Sequence, residues 1–146
     1  MEALVVIDVQ EGFSPIPRDF TTNVIREVRR AKDLDLPIFV VKFYCCGEVT
    51  PRVRSALKDY PRTTSVRKWN TDGSSEIRFA LSRIGDPATE LRVCGLYTGR
   101  CVADTVDGLV TSGFVVTIVR DACYDDDNDD HESQIEEWME TGIALC

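Results

Sequence analysis

Apolar residues in this chain fall into two alternating kinds of run. The stretches Ala3–Val9, Pro37–Tyr44, Leu91–Leu96 and Phe114–Arg120 are nearly continuous and rich in Val, Ile and Leu, the pattern of strands buried on both faces. Between them the spacing turns helical. Thr21 or Thr22 opens a helix to about Leu34, whose apolar positions Val24, Ile25, Val28 and Ala31 line one face. Thr50 followed by Pro51 starts a second helix, stopped before Pro61, and a short strand follows at Ser65–Lys68. A helix over Ser75–Ile84 closes at the turn signal Gly85-Asp86-Pro87. Another runs from Cys101 to Ser112, where Gly113 ends it, and the chain finishes with a helix at Glu132–Glu140 and a short strand at Gly142–Cys146.

Strands alternating with helices predict an α/β fold: a three-layer, doubly wound, Rossmann-like parallel sheet with helices on both faces. In such a sheet the ligand site lies outside the carboxyl ends of the strands, where strand order reverses. At 146 residues with 43% apolar content, the chain is expected to fold as one domain spanning 1–146.

Charge and cysteine content narrow the function classes. A formal charge of −8 argues against nucleic acid as partner, because phosphate binding relies on clustered Lys and Arg, and Arg26, Arg29 and Arg30 read as one solvated helix face. No apolar run reaches the roughly 20 residues a membrane helix needs. The six cysteines have no signal peptide before the first strand and lie mostly in or beside apolar runs, so the expectation is reduced thiols in a cytoplasmic protein.

The candidate chemistry sits at three predicted strand ends. Cys101 stands where a buried strand gives way to a helix, through a tight connection from Gly95 to Gly99; exposed amides and the helix dipole there are expected to lower its pKa and to hold an oxyanion. Asp8 and Lys68 stand at two other carboxyl ends. A carboxylate base and an ammonium beside a thiol are what an otherwise protonated cysteine needs to become a nucleophile. Phe13, Trp69 and Tyr97 are candidate substrate-binding walls, and Arg67 or Arg100 could meet a substrate carboxylate.

These residues carry a family resemblance. Gly95, Thr98, Cys101 and Val102, followed by Asp104, Thr105, Gly113, Asp121 and Ala122, with Asp8, Gln10 and Phe13 upstream, make the chain resemble the isochorismatase-like cysteine hydrolases, a family that includes nicotinamidases and N-carbamoyl amide hydrolases. The resemblance implies a triad of Asp8, Lys68 and Cys101, an oxyanion hole from the backbone N–H groups of Tyr97 and Cys101, and strand order 3-2-1-4-5-6. It further implies a cis peptide between Leu96 and Tyr97, and a homo-oligomer, dimer or tetramer. The chain departs from the nicotinamidase pattern in having no histidine between Asp8 and Lys68, His131 being its only one, so the metal-binding histidines are missing. The implied function is thus a metal-independent hydrolase, without cofactor, of a small amide or carbamoyl substrate through a thioester. The alternatives are a degenerate binding protein of the same fold, a vinyl ether hydrolase of the isochorismatase type, and a redox thiol protein that no Cys-x-x-Cys motif supports.

The acidic run from Asp125 to Asp130 resembles a calcium loop at positions 1, 3, 5 and 12, through Asp125, Asp127, Asp129 and Glu136. Position 6 requires glycine and is Asp130, so a solvated loop leading into the last helix, with His131 at its start, is the better reading.

Overall fold

The computed structural model describes residues 1–85 and 87–146; Asp86, the middle of the predicted turn, lies outside the described residues. Six strands form one parallel sheet: β1 (Glu2–Ile7), β2 (Ile38–Phe43), β3 (Thr63–Lys68), β4 (Glu90–Leu96), β5 (Val115–Tyr124) and β6 (Ala144–Leu145). Their order is β3-β2-β1-β4-β5-β6, so the direction of winding reverses between β1 and β4. The connecting helices are α1 (Arg18–Asp33), α2 (Pro51–Leu57), α3 (Ser74–Ser82), α4 (Ala103–Thr111) and α5 (Asn128–Thr141).

Strand alternation divides the apolar residues into two cores. Ala3, Val5 and Ile7 of β1 join Phe39, Val41, Val93 and Ile118 under α3, α4 and α5, where Ile77, Leu109 and Trp138 are buried. Leu4 and Val6 face the other way with Ile38, Val40 and Cys94, under Val24 and Val28 of α1 and Val53 of α2. Each fully buried side chain of this size stabilises the fold by roughly 1.5–3 kcal/mol. Against that background the fully buried polar groups Asp8, Gln10 and Lys68 stand out.

Several element boundaries differ from the sequence reading, three of them for a plain local reason. β1 stops at Ile7 because Asp8 takes a left-handed backbone, φ 58°, which Asp tolerates better than most residues. α1 begins at Arg18, after Pro17, and the hydroxyls of Thr21 and Thr22 donate back to the carbonyls of Pro17 and Arg18 as interior helix residues instead of capping. β5 continues through Tyr124. The last helix starts at Asn128 instead of Glu132, because the Asp127 carboxylate caps it by accepting from the amides of Asp129 and Asp130. The acidic run is therefore divided: Asp125, Asp126 and Asp127 form the loop and cap that lead into α5, and Asp129 and Asp130 lie in its first turn, where carboxylates favour the helix dipole. β6 is confined to Ala144–Leu145.

Candidate active site

The ends of β1, β3 and β4 converge on one point. Asp8 follows β1, Lys68 ends β3, and Cys101 lies in a π-helical turn, Thr98–Val102, that joins β4 to α4. The helix predicted to begin at Cys101 thus starts one turn earlier and wider, a local form common at functional sites. Gly95 permits the approach: with φ 136°, it sits where a Cβ would stand 2.1 Å from the Ile7 carbonyl oxygen. The peptide joining Leu96 to Tyr97 is cis.

Lys68 does not reach solvent. Its side chain and that of Asp8 are both fully buried, with Nζ 3.1 Å from Asp8 Oδ2. Nζ donates to the carbonyls of Asn70 and Thr71, at 3.0 and 3.2 Å, and lies 4.1 Å from the centre of the Phe43 ring. Its contact with Asp8 is chiefly Coulombic, since neither carboxylate oxygen of Asp8 has a well-aligned hydrogen-bond partner among the described residues. A buried carboxylate in that state is poised to accept a proton. Burial accordingly raises Asp8 above the ordinary carboxylate value, against the opposing pull of Lys68.

The thiol departs from the sequence expectation. Cys101 is only 7% exposed, and burial, reinforced by the Asp8 charge and only partly offset by Lys68, pushes its pKa up to about 12. The lowering expected from the helix start is overridden by desolvation, the larger effect in this setting. The resting cysteine is a neutral thiol beside a charged pair.

Several residues to which the sequence reading assigned no role build this arrangement. Thr105 on α4 accepts from the Gly73 amide at 3.0 Å and donates to the Thr71 carbonyl, so α4 anchors the loop that holds the ammonium. A Cβ at Gly73 would press to 2.9 Å of Lys68 Cδ, which explains the glycine there. Gln10 clasps the loop after β2: its amide nitrogen donates to the carbonyls of Phe43 and Gly47, and its oxygen accepts from the Phe43 amide. Asp125 accepts from the Gly99 amide at 2.8 Å, and Thr98 Oγ1 is 2.7 Å from His131 Nδ1. Only a buried glutamine after a strand and a threonine one helical turn past the cysteine signal any of this in the sequence. The Tyr97 carbonyl takes the amides of Arg100 and Val102, passing over that of Cys101 between them.

The candidate substrate walls separate into two groups. Phe13 and Tyr97 meet edge to face, centroids 5.4 Å apart, with Arg100 5.2 Å from the Tyr97 ring. Trp69, the residue that follows β3, is 58% exposed and packed on Tyr44 instead. Arg67 goes with it. Cavities of about 770 Å³ between α1 and α2 and about 540 Å³ between β3 and α3 open elsewhere on the molecule, and Cys101 lines neither. Among the described residues no group of three or more His, Cys, Asp or Glu side chains is arranged to hold a metal ion, and all six cysteines are free. No described helix is long and apolar enough to cross a membrane.

A doubly wound parallel sheet with polar side chains gathered at the carboxyl ends of its central strands defines a class of α/β proteins with a site at the switch point. The chain belongs to the isochorismatase family, whose domain model matches residues 2–146. It is 25% identical over 148 residues to the zebrafish (Danio rerio) isochorismatase domain-containing protein 2, covering 97% of this chain and 72% of that one. Among solved structures, the nicotinamidase SaPncA of Staphylococcus aureus superposes with a TM-score of 0.87 at 14% identity, covering 99% and 98% of the two chains. The MAR1 ribonuclease of Caenorhabditis elegans does so at 0.85 and 24%, covering 99% and 75%. These likenesses establish the shared fold and a family whose members are hydrolases such as nicotinamidases.

Proposed function

We propose that the protein is a metal-independent cysteine hydrolase of a small amide or carbamoyl compound, with Cys101 as nucleophile, Asp8 as general base and acid, and Lys68 as the fixed positive charge between them. The observation that carries this reading is the fully buried Asp8–Lys68 pair beside the Cys101 thiol. Losing the thiol proton to water would leave a net negative charge in the core, which is what a pKa of about 12 expresses. Passing it to Asp8 conserves the charge of the trio, so transfer coupled to attack avoids that cost. The sulfur bonds to the substrate carbonyl carbon, and the backbone N–H groups of Tyr97 and Cys101 receive the oxyanion. As the C–N bond breaks, Asp8 returns its proton to the leaving nitrogen. Water, giving a proton to Asp8, then attacks the thioester, and that proton returns to the sulfur as the acid departs.

Metal independence rests on the donor set: the lone His131 is engaged with Thr98, and no histidine lies between Asp8 and Lys68. A second reading, a binding protein that keeps the fold without turnover, is favoured by the near-complete burial of Cys101. A screen of small amides, carbamoyl compounds and vinyl ethers decides between them. The proposal expects hydrolysis of an amide or carbamoyl compound, undiminished by chelators and abolished in Cys101→Ala. Binding without turnover supports the second reading, and activity retained in Cys101→Ala removes the covalent mechanism. A homo-oligomer in the cytoplasm is part of the same proposal.

A further inference from the structure

Beside the buried site, on the opposite face of the sheet, β2 and β3 present a second constellation. Lys42 and Arg67 are paired in register, and Phe43 is paired with Lys68 one residue further on. Alternation therefore puts Lys42 and Arg67 on the sheet face opposite Phe43 and Lys68, and the turn and bend that follow the two strands bring Tyr44 and Trp69 beside them. A cavity of about 310 Å³ opens here, lined by Lys42, Tyr44, Gly47, Glu48, Ser65 and Arg67 among others. That is the lower end of the size range of small-molecule sites.

Its walls have a definite chemistry. Tyr44 is 50% exposed and stacks on Trp69 at 5.2 Å between centroids and 31° between planes, while the Arg67 guanidinium lies 5.0 Å from the Trp69 ring. Among the described residues Arg67 has no carboxylate partner. Lys42 has one, Glu48, at 3.5 Å, whose side chain is 66% exposed and free to turn away. Two cations and one carboxylate leave this spot net positive in a chain of formal charge −8.

We propose that this face binds a planar aromatic anion, its ring stacked on Tyr44 and its phosphate or carboxylate held between Lys42 and Arg67. Stacking and charge-assisted hydrogen bonding then act on the two ends of one ligand. Strand alternation turns Lys42 and Arg67 away from Lys68, while Phe43 both lines this cavity and packs against the Lys68 ammonium. The proposed binding does not rest on the hydrolytic reading.

The chain carries its own reporter. Of its two tryptophans, Trp138 is buried and Trp69 touches the site. Titration with adenosine monophosphate, and separately with benzoate, should give a saturable change in tryptophan fluorescence that disappears in Trp69→Phe, while calorimetry reads the binding itself. Arg67→Ala and Lys42→Ala should each weaken binding about tenfold or more, and added salt should weaken it further. Adenosine without phosphate and inorganic phosphate without a ring should each bind about tenfold or more weakly than adenosine monophosphate. A preference between the two probes identifies the anionic group as phosphate or carboxylate. The proposal is overturned if neither probe binds by calorimetry at millimolar concentration, or if Arg67→Ala and Lys42→Ala both bind as well as the original chain.

Discussion

Arg67 and Lys68 are adjacent, carry the same charge and end the same strand, yet they occupy opposite environments. Lys68 is fully buried against Asp8 and the Phe43 ring, whereas Arg67 is exposed beside Trp69. The difference comes from the two-residue period of a strand, which turns successive side chains to opposite faces of the sheet. Taking an ammonium out of water is costly and is offset only where an opposite charge and hydrogen-bond acceptors are already in place. Asp8 and the carbonyls of Asn70 and Thr71 supply them for Lys68; for Arg67, water does. One region holds charge in a fixed geometry at the expense of stability, and the other keeps charge available for a visitor.

The contrast should be largest in catalysis. With a substrate from the screen, Asp8→Asn and Lys68→Ala are each expected to lower kcat/KM by about 100-fold or more, as for members of one acid–base unit. A loss of less than about tenfold in both would show that the buried pair is structural.

Stability comes next. Removing the positive partner leaves a carboxylate uncompensated in the core, so Lys68→Met should cost roughly 3–5 kcal/mol in denaturant unfolding, and adding Asp8→Asn should recover most of it. Arg67→Ala should stay within about 0.5 kcal/mol. Equal losses in the two single variants would erase the distinction between the faces.

The thiols offer a milder test. Cys101, at about 12, should resist iodoacetamide at neutral pH while the exposed Cys45 and Cys146 react, and it should label only as the solution becomes strongly alkaline. Asp8, raised by burial, must be a carboxylate to accept the thiol proton. Activity should therefore fall with decreasing pH through a midpoint above the ordinary aspartate value, and not near it. Rapid labelling of Cys101 at neutral pH, read by mass spectrometry, would contradict the neutral resting thiol.

The smallest effect concerns the loop that holds Lys68. Thr105→Val keeps the shape but removes the bonds to Gly73 and Thr71, and should cost about 1 kcal/mol of stability with a modest fall in kcat. An unchanged kcat would mean that the loop is positioned without α4.

Much of this was legible in the chain. Continuous apolar runs separated by helical spacing predict the parallel sheet, since a strand covered on both faces has no polar side to show. The motif around Gly95, Thr98 and Cys101 marks the turn that the structure places at the end of β4. Element limits were less readable where side chains bond locally: Thr21 and Thr22 look like caps and lie inside α1, while Asp127 caps α5 from within a run that reads as loop. The acidic composition also hides a local excess of positive charge, because net charge is a sum over the surface and binding depends on its distribution.

The sequence by itself determined the layered fold, because hydrophobic period and turn residues are local properties of the chain, and its resemblance to a known family singled out three strand ends as the candidate site. Tertiary structure alone decided their electrostatics. Whether Cys101 is a thiolate or a neutral thiol depends on how completely water is excluded and on the sum of two opposing charges brought from distant strands. Which of two neighbouring cations is sealed and which stays open follows from the register of β3 against β2 and from what packs on each face, and those are properties of the assembled sheet.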